Sequence, residues 1–130
     1  MAVDFDGILK GKFNFKAYGH ISKFFELVVV NFPSRMEDLM DSLISGASKV
    51  VIHAEESPPM LERMLELSDG VVLPAKNPSM QFFVANGGKY LISDHEVFSR
   101  FDQCYNVGKS LLSEKYINVS GFPESLLPYI

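Results

Sequence analysis

Residues 26–54 read ELVVVNFPSRMEDLMDSLISGASKVVIHA, and this stretch decides the fold. It opens on a β-branched run, Glu26–Asn31, and closes on another, Lys49–Ala54. Between them Met36, Leu39, Met40, Leu43 and Ile44 recur at helical spacing. Ser34 and Glu37 stand at the spacing of a capping box, and Gly46 fits a left-handed stop. Strand, helix and strand in that order make a βα unit whose two strands run parallel. Neither run alternates apolar with polar residues, which is the pattern of strands covered on both faces.

The same alternation continues outward. Gly70–Ala75 (GVVLPA), Lys89–Ser93 (KYLIS) and Tyr116–Gly121 (YINVSG) read as further strands, and Ala2–Asp6 as a short one at the start. Asn14 to Phe25 reads as a first helix, with Phe15, Tyr18, Ile21 and Phe25 on one face and Gly19 weakening it. Ser57-Pro58 is a cap followed by proline at the first helical position, ahead of Met60, Leu61, Met64 and Leu65. Asn77-Pro78 repeats the device before Met80, Phe83 and Val84. Ser93-x-x-Glu96 forms a second capping box, followed by Val97, Phe98, Phe101 and Tyr105 at helical spacing. A short terminal helix is expected from Pro123 to Tyr129. Asn86-Gly87 leaves an alternative open over residues 80–92, a hairpin between FFVA and KYLI. The expectation is one α/β domain over residues 1–130. It has five to six mainly parallel strands, as an open sheet or a partial TIM-like barrel.

Composition narrows the function classes. Twelve Lys and Arg against sixteen Asp and Glu give a net charge of −4, and basic residues are scattered, so no nucleic-acid partner is expected. The single cysteine, Cys104, excludes an intramolecular disulfide framework and a cysteine-rich zinc site; its helical register makes it a buried core thiol. No apolar run approaches the ~20 residues of a membrane helix. No basic segment followed by an apolar one opens the chain, so a cytoplasmic location and no membrane partner are expected.

In parallel βα architectures the strands' C-terminal ends form one rim where ligands bind. Asn31, His53, Glu55, Lys76, Asp94 and His95 fall there as candidate ligand residues for a small molecule of unknown identity. Glu56, Asn77, Glu96 and Asn118 share the rim. Turn residues are polar in any case, and acids suit helix N-termini on dipole grounds alone. Gly108-Lys109-Ser110 mimics the end of a phosphate-binding loop, but Gln103 stands where its first glycine belongs.

Val3-Asp4-Phe5-Asp6-Gly7 resembles the first motif of the haloacid-dehalogenase-like phosphohydrolases. The resemblance implies Asp4 as nucleophile and Asp6 as acid–base, with magnesium bridging to phosphate. A longer likeness runs from Val3 to about Leu73. Val3–Leu9 with Gly11-Lys12 and Asn14, Glu26–Asn31 with Pro33–Asp38, and Ser45–Ile52 resemble, in order, successive strands and loops of a histidine-biosynthesis barrel family. That family contains the phosphoribosyl-formimino isomerase and its cyclase relative. Asn31-Phe32-Pro33 replaces its glycine run, and His53-Ala54-Glu55-Glu56 replaces its Gly-Thr. No acid stands near Leu73–Lys76, where its second catalytic aspartate belongs. The resemblance therefore implies a relative without the reaction, a binding or assembly module that needs no cofactor. An incomplete barrel exposes an edge strand and an apolar face, so a homodimer or larger homo-oligomer is expected. The alternative is a magnesium-dependent hydrolase or phosphatase using Asp4 and Asp6.

Overall fold

The computed structural model describes residues 1–130, and its contacts divide the chain into two compact units, Met1–His53 and Ala54–Ile130. In the first, β1 (Ala2–Val3) leads through α1 (Phe5–Lys10) and α2 (Phe15–Ser22) to β2 (Val28–Val30), then through α3 (Met36–Ile44) to β3 (Lys49–Val51). β1 pairs with β2 and β2 with β3, both parallel, with Val29 opposite Ala2 on one side and Val50 on the other. Helices α2 and α3 pack on each other. Val29, Val30, Val50 and Val51 are fully buried, as the unbroken β-branched runs require.

The second unit runs α4 (Pro58–Leu67), β4 (Val71–Pro74), α5 (Met80–Ala85), β5 (Tyr90–Ser93), β6 (Gln103–Asn106) and β7 (Tyr116–Asn118). A 3₁₀ turn follows over Glu124–Tyr129. β4, β5, β6 and β7 pair in that order, all parallel. Leu61, Met64 and Phe83 bring the faces of α4 and α5 into a core with Leu73, Leu91 and Ile92. This is the α/β fold of parallel strands expected above. The 80–92 ambiguity resolves to a helix: FFVA lies in α5 and forms no hairpin with KYLI, whose strand β5 pairs in parallel with β4. No helix is long and apolar enough to cross a membrane.

Several expectations are corrected. There are seven strands rather than five or six, because Gln103–Asn106 forms β6 where a helix was expected. Ser93 does not cap a helix through Glu96. Its hydroxyl accepts the amide of His95 at 3.1 Å, a tight local turn that competes with helix initiation. Residues 94–102 therefore cross to β6 without a helix, and the amides of Asp102 and Gln103 reach the carbonyl of Lys89. Cys104 is fully buried, on a strand rather than a helix.

Ala2–Asp6 gives only a two-residue strand, because Asp4 turns the chain into α1, a helix absent from the reading above. Gly11 stops that helix at φ +67°, a left-handed conformation that favours glycine. The Ser34 capping box is not made; α3 starts one residue later with Arg35 at its cap. Ser57 caps α4 by position, but Pro59 at the second helical position lacks one of the amides its hydroxyl would hold, and no side-chain cap bond forms. Asn77 acts one turn early, its side chain accepting the amide of Ser79 at 2.7 Å.

Candidate functional site

The end of β1 carries the most heavily bonded side chain of the first unit. Asp4 is only 6% exposed, and four donors converge on its carboxylate. Oδ1 accepts the Gly7 amide at 3.0 Å and the Asn14 side-chain amide at 2.6 Å. Oδ2 accepts the Asn14 backbone amide at 2.9 Å and the Tyr18 hydroxyl. The network continues across the strand ends: the Asn31 amide donates at 3.0 Å both to the Tyr18 hydroxyl and to Ser42 Oγ. Ser42 in turn donates to the carbonyl of Asp38 at 2.7 Å. Asn31 Oδ1 is buried and accepts nothing.

Burial alone would raise the Asp4 pKa. The bonds from Asn14, Tyr18 and Gly7 outweigh it and hold the carboxyl below its ordinary value. Burial first, and then the bond to Asp4, push the Tyr18 hydroxyl in the other direction and keep it protonated. The cluster is therefore an ionised carboxylate stabilised by uncharged donors, joining β1, α1, α2, β2 and α3. Asp6 is not part of it; its side chain is 59% exposed and faces Lys10 at 4.0 Å.

A carboxylate has about four acceptor positions, and those of Asp4 are filled from within the chain. A magnesium ion joined to Asp4, as the hydrolase alternative needs, would displace at least one of these bonds. No three His, Cys, Asp or Glu side chains lie close enough to hold one ion. The residues present do not fit that metal.

Beside this cluster lies a cleft of about 470 Å³ at the ends of β2 and β3. Gly7, Ile8, Gly11, Phe13, Phe32, Ser34, Arg35, Asp38 and His53 line it. Phe32 holds φ +46°, a left-handed conformation uncommon for a bulky side chain, which costs on the order of 1–3 kcal/mol. Its amide bonds to Val51 O at 3.1 Å, and its ring meets the His53 ring edge to face at 6.5 Å.

The rim residues of the second unit have local duties. The Lys76 ammonium donates to the carbonyl of Pro128 at 2.5 Å, and its amide to Ile130 O at 3.2 Å, tying the terminal 3₁₀ turn to the end of β4. Asn77 donates to the carbonyl of Glu56 at 3.1 Å, and burial raises the Glu56 pKa. Glu55 is exposed beside it. Asp94 Oδ1 lies 2.9 Å from His95 Nδ1, and Ser93 Oγ lies 3.1 Å from that same nitrogen. A serine–histidine–aspartate relay needs serine and aspartate on opposite ring nitrogens, so this trio is no triad. Asn118 accepts from Asn106 at 2.8 Å and from the Leu111 amide at 3.1 Å, pinning the loop before β7.

Among the rim candidates, the structure thus joins Asp4 to Asn31 through Tyr18, and Asp94 to His95. Asn14, Tyr18 and Ser42 carry the first network without having been singled out. Tyr18 and Ser42 sit on apolar helix faces, where a hydroxyl reads as part of the stripe. No family model, curated protein or solved structure matches the chain.

Proposed function

We propose that this chain is a non-catalytic binding or assembly module, a divergent relative of the phosphoribosyl-binding barrels of histidine biosynthesis. The observation that carries the reading is the four-donor lock on Asp4. A carboxylate whose acceptor positions are taken, which itself caps α1 and which is bonded to the cap residue of α2, ties the strand end to both helices. It is poorly placed to attack phosphorus or to ligate magnesium. The hydrolase alternative retains the Asp4-x-Asp6-Gly7 pattern as its support. The two readings part in a generic phosphatase screen with magnesium, run beside Asp4→Asn. No turnover and no magnesium-dependent rise in melting temperature is the expected outcome; magnesium-dependent turnover lost in the variant would establish the hydrolase.

The assembly half of the proposal rests on apolar side chains left in solvent. Phe24 and Phe25 are 78% and 72% exposed after α2, Ile44 is 77% exposed at the end of α3, and Phe98 is 87% exposed in the second unit. Large apolar side chains at such exposure mark contact surfaces when they cluster. β1 and β7 are edge strands, with backbone groups open to a further chain. A homodimer or larger homo-oligomer is expected in dilute solution, and sedimentation giving only a 14.6 kDa species at tens of micromolar would refute it. A cytoplasmic location and the absence of a nucleic-acid partner belong to the same proposal.

A further inference from the structure

The outward faces of α2 and α3 carry opposite charge around one apolar surface. α2 exposes Lys16 and Ile21, Lys23 follows at its end, and Phe15–Ser22 contains no acid. Neither lysine is paired within the chain. α3 exposes Glu37, Met40, Asp41 and Ile44, which recur every three or four residues and so share a face; Met36–Ile44 contains no base. Arg35, at the start of α3, is held by Asp38 and Glu37 and offsets one of the three acids. The two faces are continuous. The amides of Phe24 and Phe25 both bond back to the carbonyl of Ile21, at 3.0 and 3.1 Å, which keeps the two exposed residues at the end of α2. The end of α3 lies against that turn: a Cβ on Gly19 would stand 3.4 Å from the Ser45 carbonyl oxygen, and one on Gly46 2.8 Å from Ser22 Cβ. Glu26, next to Phe25, is taken up by Lys49 at 2.6 Å.

We propose that this surface is where two copies of the chain meet, related by a two-fold axis that lays α2 of each on α3 of the other. The proposal rests on the assembly reading and names its interface. A two-fold axis repeats every contact, so a basic helix packed beside an acidic one is complementary to its own copy. Pairing α2 with α2, or α3 with α3, would set like charges together. Ile21, Phe24, Phe25, Met40 and Ile44 supply the apolar centre, and the lysines and acids supply the charged rim that such contacts carry.

Sedimentation of the full chain at low salt is expected to give a dimer whose dissociation constant rises about tenfold or more in the double variant Phe24→Ser, Ile44→Ser. The double variant Lys16→Glu, Lys23→Glu makes both helices acidic, and Glu37→Lys, Asp41→Lys makes both basic. Each is expected to be monomeric alone at concentrations where the wild type is dimeric. An equimolar mixture of the two should recover the dimer, because every acidic helix then meets a basic one. All the substituted side chains are exposed, and circular dichroism checks that each variant is folded. Folded charge variants that fail to combine would overturn the proposal. So would a dimer that survives both the apolar and the charge substitutions, which would move the contact to the edge strands β1 or β7 and leave the assembly reading standing. A monomeric wild type would overturn both.

Discussion

Replacing Asp4 by asparagine keeps the shape of the side chain and removes its charge, so it isolates what the lock contributes. The carboxylate accepts four hydrogen bonds, two at each oxygen. A carboxamide has one acceptor oxygen, and its NH₂ must face the donors of the other. If it takes the Oδ2 position, Tyr18 can rotate to accept, but the backbone amide of Asn14 cannot. One buried donor left without an acceptor costs about 1–3 kcal/mol, and the remaining bonds fall from charge-assisted to neutral strength. The expected loss is roughly 2–4 kcal/mol, which at a typical urea dependence moves the unfolding midpoint by about 1–2 M. Urea titration followed by circular dichroism at pH 7 measures it. The pH dependence supplies a second reading. A carboxyl whose pKa is lower in the folded chain than its ordinary 3.8 contributes stability that is complete above that value and disappears as pH falls through the folded one. The gap between wild type and variant should therefore narrow on acidification. A midpoint shift below about 0.25 M, or a gap independent of pH down to the acid transition, would refute the account of Asp4 as a structural lock.

Three further outcomes follow from the geometry. Gly108→Ala would place a methyl carbon 2.1 Å from the Asp94 carbonyl oxygen, so a loss of about 1–3 kcal/mol is expected in urea titration; an unchanged midpoint would show that the two loops separate readily. Burial pushes the Cys104 thiol up to about 12, so a thiol reagent at pH 8 should label it only after denaturant is added. Glu56→Gln should stabilise the chain at pH 7. Burial raises the pKa of the native carboxyl, so the wild type gains stability as it protonates, and the advantage of the variant should vanish below about pH 4.5 in parallel thermal melts.

Most of the fold is legible in the sequence because its strands carry their own signal. The runs at β2, β3 and β4 are valine-rich and unbroken, and the helices after β2 and β3 follow ordered apolar spacing. β6 carries no such signal: Gln103-Cys104-Tyr105-Asn106 has no β-branched residue, and Tyr105 stands in helical register with Val97, Phe98 and Phe101. The decision between helix and strand is made at Ser93, whose hydroxyl bonds two residues ahead rather than three. α1 was hidden for a related reason. Asp4 and Gly11 are an ordinary helix start and stop, but only six residues lie between them, too few for an apolar stripe to show. The site was less legible still. Asp4 and Asn31 are visible as strand-end polar residues, whereas Tyr18 and Ser42 become partners only through the packing of α2 against α3.

Within each unit, pairing between strands adjacent in sequence also bears on how the chain acquires its structure. β1 and β2 begin 26 residues apart, at Ala2 and Val28, whereas β5, β6 and β7 begin at Tyr90, Gln103 and Tyr116, 13 residues apart each time. The entropy of closing a loop grows with the logarithm of its length, about 0.6 kcal/mol per doubling. The helix-free crossovers thus shorten the search for the last two pairings of the sheet. Contacts of such short range accelerate folding across proteins generally, which makes β5–β6–β7 the natural nucleus, with the pairing of β1 to β2 among the later events.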